Sequence, residues 1–286
     1  EAVREGAFVP RARRRSIARG RVRLVIAVPD TQEIELNPFF DSGELFNAIN
    51  NAFQKEKKQL EVITFSRMEE WFAQRENDAD GLIIAFGDAP SGIKGRLASK
   101  KIPYIFLNRN PAEENYISCN NIRGAMELGK YLISRGCRKI GYLGYAGHPI
   151  DPDRLRGYRI AMTEGGIRGH EKLEHHIQHI EDVDAGAAAF FTAKGCDAVM
   201  AFNDTFAIRL INAFAAAGKR VPGDISVTGF DDSPLRKLYR PAVTTVSLSI
   251  YEMGFLAARW LRAVSYTHLR AHETVLDLVC RLLLEK

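Results

Sequence analysis

The chain has 286 residues, 46% of them hydrophobic and 26% charged, a size and balance that suit one large or two medium globular domains. No uninterrupted apolar run approaches the ~18 residues of a membrane span, and the opening EAVREGAFVPRARRRS lacks the apolar core of a secretory signal, so the cytoplasm is the expected compartment. The net charge of +5 is uneven: residues 1–23 carry eight arginines against Glu1 and Glu5, while the body is close to neutral. A short basic arm of this kind points to nucleic acid or another polyanion.

Past the arm, strands and helices alternate. Residues 21–29 (RVRLVIAVP) read as a strand, and 43–57 as a helix with Leu45, Phe46, Ile49 and Phe53 at helical spacing. A strand at 60–65, a helix at 68–74, a strand at 81–86 (GLIIAF), a helix at 94–100 and a strand at 102–108 follow. Next come a short strand at 116–119, a helix at 121–135 with Ala125, Leu128, Gly129 and Leu132 on one face, and a strand at 138–144. The pattern then restarts with a helix at 153–165 stopped by Gly165 and Gly166, a strand at 175–180 and a helix at 183–194. A strand at 198–203, a helix at 204–217 ended by Gly218 and a strand at 225–231 complete it. Strict βα alternation argues for parallel sheets covered on both faces, and two runs argue for two doubly wound α/β subdomains. The Gly- and Pro-rich stretch 144–152 is the expected break between them.

In open α/β sheets, ligands bind beyond the carboxyl ends of the strands, and the cleft between two such domains is the expected site. Polar residues just past predicted strand ends are Asp30, Asn108, Arg109, Asn203, Asp204, Asp231 and Asp232. Asn120 opens a helix, Arg154 and Arg156 follow the break, and Phe39 and Phe40 lie on the first loop. Carboxylates and amides interleaved with arginine suit a polyhydroxylated ligand, whose hydroxyls donate to Asp and accept from Arg or Asn while an aromatic ring covers an apolar face. The blander reading makes Asp204, Asn121 and Asp153 simple helix N-caps.

The stretch AFNDTFAIRLINAFAAAGKRVPGDISVTGFDDS (201–233), followed by RPAVTTVSLSIYEMG (240–254), resembles the lactose/galactose repressor (LacI/GalR) family of bacterial transcription regulators. NPFF (37–40), DGLII (80–84), IPYIFLNR (102–109), NNIRGAMELGKYLISRGCRKIGYLG (120–144) and RLRGYRIAM (154–162) extend the likeness over roughly residues 1–263. The resemblance implies a periplasmic-binding-protein-like core joined by crossover strands and forming homodimers, an N-terminal helix-turn-helix on operator DNA, and a small effector, a sugar or sugar derivative, that switches DNA affinity. By matched motif, Arg154 is similar to the family's effector arginine, Asn203 to its strand-end amide, Asp231 to the carboxylate of its GFDD turn and Phe40 to its first-loop aromatic. Asn120 stands where the family usually has Asp, which removes a carboxylate acceptor and loosens the effector class. Arg154→Ala is expected to silence the effector response with the fold intact.

On the same resemblance, 1–20 corresponds to the end of the DNA-binding domain and its hinge, with the helix-turn-helix itself outside this chain. Ile17 takes the minor-groove wedge position and Arg14 and Arg15 flank it, a pattern suited to a kinked minor groove. The expected layout places one effector-binding subdomain at 21–145 plus 236–263 and the other at 146–235. Residues 264–286 (from SYTHLRAHETVLDLVC) resemble a translated sequencing adapter, a non-native tail without function, although Val275, Leu276, Val279 and Leu283 have amphipathic helical spacing.

Other chemistry is thinly supported. Cys119, Cys137, Cys196 and Cys280 lie far apart without a CxxC, which fits a reduced compartment. His175 and His176 would point to opposite faces of a strand, so His175, His176 and His179 make a poor metal set, and no cofactor is expected. No P-loop, G-x-S-x-G or HExxH is present, which disfavours a doubly wound enzyme. A periplasmic sugar-binding protein of a transport system shares the expected core, but the basic arm counts against it. A ligand-responsive regulator, acting as a repressor of carbohydrate-related genes, is the reading the residues favour.

Overall fold

The computed structural model describes residues 21–30, 41–54, 56–74, 79–267, 275–278 and 281–283. In chain order the first elements are β1 (Arg21–Val28), α1 (Ser42–Ala52), β2 (Lys57–Thr64), α2 (Met68–Gln74) and β3 (Gly81–Ala85). They are followed by α3 (Ile93–Lys100), β4 (Tyr104–Leu107) and β5 (Tyr116–Cys119). Then come α4 (Asn121–Ser134), β6 (Ile140–Tyr145), α5 (Asp151–Glu164), β7 (Glu174–Ile177), α6 (Ala185–Ala193), β8 (Ala198–Ala201) and α7 (Asp204–Ala216). The chain closes with β9 (Ser226–Thr228), α8 (Pro234–Leu238), β10 (Thr245–Ser247), α9 (Ile250–Thr267), β11 (Val275–Leu278) and β12 (Arg281–Leu283).

These elements form two compact units. The first takes residues up to Cys119, apart from 37–41, and then 250–278. Its sheet has the order β11-β5-β4-β3-β1-β2, with every pair parallel. β3 is buried along its whole length, as a central parallel strand covered on both faces must be. One of its faces packs Val25, Ala27, Leu82, Ile84 and Phe106 with Trp71 and Phe72 of α2.

The second unit takes 120–249 with 37–41 and 279–286. Its parallel sheet has the order β7-β6-β8-β9, and β10 pairs with β12 antiparallel. One core gathers Phe191, Phe206, Leu210 and Phe214 from α6 and α7 against Leu143, Val199 and Val227 of the sheet. On the other face α4 and α5 approach so closely that a Cβ at Gly157 would lie 2.2 Å from the carbonyl of Ile122. Glycine there is a condition of the helix contact. The stops expected from glycine are seen: α5 ends at Gly165 and Gly166 (φ +70°), and α7 runs out before Gly218 (φ +76°).

The two doubly wound parallel sheets match the expected α/β architecture, but the division falls elsewhere. α4 and β6 belong to the second unit, and residues 236–249 do too, whereas the sequence pattern placed 120–145 and 236–249 in the first. The Gly- and Pro-rich stretch 144–152 is the loop from β6 into α5 within one unit. The passage from one unit to the next lies between Cys119 and Asn120, where a single capping residue separates β5 from α4 and leaves no glycine or proline signal. The tail also departs from the amphipathic-helix reading. β11 extends the first sheet beside β5, with Leu278 opposite Cys119, and β12 pairs with β10. Cys119 is disulfide-bonded, which departs from the expectation that four widely spaced cysteines fit a reduced compartment; Cys137 and Cys196 are free. Distance along the chain sets no limit on distance across a sheet.

Among the described residues, no helix is long and apolar enough to cross a membrane.

Candidate functional site

Both sheets reverse their strand order next to their first strand, between β1 and β3 and between β6 and β8. Such switch points open a crevice at the carboxyl ends of the strands. In the second unit the residues at that edge are Tyr145 at the end of β6, Phe202 and Asn203 after β8, and the 229–233 turn after β9.

Arg154 is the centre of this edge. It lies one turn into α5 and is almost fully buried. Its Nε donates to Asn121 Oδ1 at 3.0 Å, Nη1 to the carbonyl of Phe202 at 2.6 Å and Nη2 to Asp231 Oδ1 at 2.7 Å. The guanidinium also stands 3.8 Å from the ring centre of Phe230 and 4.8 Å from that of Phe202. Two aromatic faces and three acceptors fix its plane. A guanidinium has five N–H donors, so among the described residues these three bonds leave two in a fixed plane. Arg154 and Asp231 neutralise each other, which is how both charges tolerate burial.

The carboxylate is delivered by an unusual turn. Asp231 and Asp232 both have positive φ, +106° and +56°, a region that non-glycine residues seldom occupy. Asp231 N donates to the Val246 carbonyl at 2.8 Å. Asp232 accepts from Arg236 Nε and Nη2 at 2.7 and 2.6 Å. Behind the turn, Asp204 is completely buried, and its carboxyl is pushed up to about 8, first by burial and then by the neighbouring charge of Asp231.

Beside Arg154 the wall is aromatic. Tyr145 stacks on His148 with ring centres 5.4 Å apart, and His148 and Tyr145 meet Phe202 at 4.8 and 5.7 Å. Asp151, at the start of α5, accepts from Tyr142 OH at 2.8 Å and from Tyr145 N at 3.1 Å. His176 Nδ1 lies 3.3 Å from Asp151, while His175 on the opposite face stacks on Phe190 at 4.6 Å.

Of the residues expected from sequence, Arg154 and Asp231 are in direct contact. Asn203 follows the carbonyl that Arg154 holds, and Asn120 precedes the amide that Arg154 holds. Asn203 and Asn120 are also the N-caps of α7 and α4, accepting from Phe206 N at 3.0 Å and Arg123 N at 2.9 Å. The capping role is therefore one residue earlier than Asp204 and Asn121, and α5 begins after Ile150 with no side-chain cap. Arg156 is exposed on α5. Asn108, Arg109 and Asp30 are in the first unit. Asn108 and Arg109 are buried past β4, and Asp30 accepts from Ser66 N at 3.3 Å and from its hydroxyl. Phe39, Phe40 and the hinge residues Arg14, Arg15 and Ile17 lie outside the described residues.

Sequence reading missed Asn121, Phe202, Phe230, Tyr145 and His148. Phe202 and Phe230 flank flagged residues and are apolar, so they pass for core. Tyr145 and His148 sit in the glycine-rich loop taken for an interdomain break.

The model of the periplasmic binding protein-like domain family matches residues 130–284, more than half the chain. The HTH-type transcriptional regulator DegA of Bacillus subtilis (strain 168) is 28% identical over 268 residues, covering 88% of this chain and 77% of its own length. The chain belongs to the periplasmic binding protein-like family, as a LacI/GalR-type effector-binding core. Two solved structures share this LacI/GalR fold. A transcriptional regulator CelR–cellobiose complex superimposes with a TM-score of 0.76 at 22% identity, covering 99% of this chain and 93% of that one. A LacI family regulator from Enterococcus faecium with bound ribose gives 0.76 at 22%, covering 92% and 97%. The relatives of this LacI/GalR core are transcription regulators, which sets aside both the enzyme reading and the transport-receptor alternative.

Proposed function

We propose that this chain is the effector-binding core of a cytoplasmic, DNA-binding transcription regulator, a homodimeric repressor of carbohydrate-related genes. The effector is a polyhydroxylated small molecule, a sugar or sugar derivative, taken at the carboxyl edge of the second sheet by Arg154, Asp231, Asn203 and Asn120, with Phe40 contributed by the first loop. One observation carries this reading: Arg154 is buried and held in plane by Asn121, Phe202 and Asp231, with two N–H groups left over among the described residues. A fork fixed before binding loses little freedom when it takes up a hydroxyl oxygen. The Tyr145–His148–Phe202 wall supports the same ligand class, since a sugar offers an apolar ring face beside its hydroxyls. The cellobiose in the CelR complex and the ribose bound to the Enterococcus faecium regulator fit this class.

Operator DNA is the second partner, reached through a helix-turn-helix and a hinge in which Arg14 and Arg15 flank the wedge Ile17. Effector binding shifts the protein between two states of different DNA affinity, by as much as its affinity differs between them. A thermal-shift screen of the purified chain against mono- and disaccharides, sugar phosphates and nucleobases tests the effector. A ligand at 100-fold excess over its Kd adds ~2.7 kcal/mol, a rise of several degrees. Hits among neutral sugars support the proposal; hits confined to nucleobases reject the carbohydrate class.

A further inference from the structure

The 229–233 turn needs an external support, because two consecutive non-glycine residues, Asp231 and Asp232, sit at φ +106° and +56°. Such conformations persist only where their surroundings over-determine them. The support is Asp204. Its backbone N donates to the Phe230 carbonyl at 2.9 Å. Its Oδ2 accepts from Ser233 N at 2.7 Å, and its Oδ1 accepts from Thr245 Oγ1 at 2.5 Å. The turn is pressed onto this carboxyl group: a Cβ at Gly229 would come within 2.2 Å of Oδ1. Asp204 thus touches both ends of the turn and the strand β10 beside it. Among the described residues, Asp204 and Arg154 share no hydrogen bond or ion pair: Arg154 holds Asn121, Phe202 and Asp231.

Two simpler roles do not account for this carboxyl group. Helix capping falls to Asn203, whose Oδ1 already accepts from Phe206 N. Bulk stability is also a poor reason for a buried carboxyl group beside the Asp231 carboxylate, since an apolar side chain of similar volume avoids the desolvation penalty. What a carboxyl group supplies here, and an apolar group does not, is two oxygens at a fixed angle, one for Ser233 N and one for the Thr245 hydroxyl.

We propose that Asp204 is a positioning residue of the effector site: by gripping Ser233 N and the Thr245 hydroxyl it sets the turn so that Asp231 meets Arg154. The proposal rests on the reading of Arg154 and Asp231 as effector-binding residues. It assigns their geometry to a residue with no role in holding ligand.

The test uses the full chain and two readouts: hydrogen exchange by NMR at the Asp231 and Ser233 amides and the Arg154 Nε–H, and calorimetric titration with ribose and with cellobiose. The variants are Asp204→Asn and Thr245→Val, with Thr245→Ser retaining the hydroxyl. Thr245→Val preserves shape and covers the case in which Asp204→Asn fails to fold. Loss of one such bond lowers exchange protection by about tenfold or more. We expect that loss at Asp231, Ser233 and Arg154 in Asp204→Asn and Thr245→Val, with amides of the α4–α5 pair unchanged, and recovery in Thr245→Ser. Unchanged protection at Arg154, or an equal fall at every amide of the second unit, overturns the proposal. If the three groups respond as expected but neither sugar binds the wild type, positioning stands and the proposed ligand class fails. If a sugar binds the wild type and Thr245→Val with equal affinity, the positioning role is refuted and the effector reading survives.

Discussion

Arg154 illustrates how a binding residue can also be structural. Sequence alone suggests that Arg154→Ala removes the effector response and leaves the fold intact. Burial beside Asp231 changes that expectation, because truncation strands a carboxylate in a dry site, at about 3–5 kcal/mol. Urea denaturation of Arg154→Ala should show that loss, whereas Arg154→Met combined with Asp231→Leu should come close to wild-type stability while still abolishing sugar response. Asp204 makes a second prediction at this scale. Its carboxyl titrates near 8 in the folded chain and near 4 when unfolded. Between those values the folded state keeps a proton that the unfolded state has released. Stability on its account is therefore complete below about pH 4 and falls as pH rises toward 8. Thermal melts from pH 5 to pH 9 should show this slope, and Asp204→Asn should flatten it.

At the scale of elements, the contact between α4 and α5 depends on the missing side chain at Gly157. Gly157→Ala gains about 0.5–1 kcal/mol of helix propensity but drives a methyl to 2.2 Å from a backbone carbonyl and 2.8 Å from Ala125 Cβ. The clash is with backbone, which cannot swing aside, and overpacking of this kind costs about 1–3 kcal/mol. A net destabilisation in the urea midpoint is expected. Asn120 is the cap of α4. Asn120→Ala should cost about 1 kcal/mol; Asn120→Asp should keep the cap and add an acceptor, shifting ligand preference without loss of stability, read by melting with and without sugar. These elements were largely legible. Helices α2 and the strand β5 coincide with the residues their periodicity and β-branched content indicate, and glycine marks the ends of α5 and α7. The site was half legible: charged residues past strand ends stand out by type, whereas Phe202 and Phe230, which clamp Arg154, look like any core phenylalanine.

At the scale of the whole molecule, the boundary of the second unit is itself testable. Residues 120–249 contain β6 to β9 and the helices on both faces, so this fragment should give a dispersed NMR spectrum and keep the slow-exchanging Arg154 Nε–H. The fragment 146–235, cut at the glycine- and proline-rich stretch, lacks β6 and α4. It should remain unfolded, because β6 is the strand that pairs with both β7 and β8. A folded 146–235 would refute this account of the unit.

Sequence by itself determined the alternation of strands and helices, hence two parallel sheets, because each periodicity reports which face of a local segment is buried. It also determined which charged groups stand at strand ends, since that is a matter of adjacency along the chain. Tertiary structure alone decided that α4 and β6 belong with the second sheet, that Asp204 grips Ser233 and Thr245, and that Arg154 reaches Asn121, Phe202 and Asp231. Each of these is a contact between segments remote in sequence, fixed by which strands pair and which faces pack, and no local pattern of residues encodes that pairing.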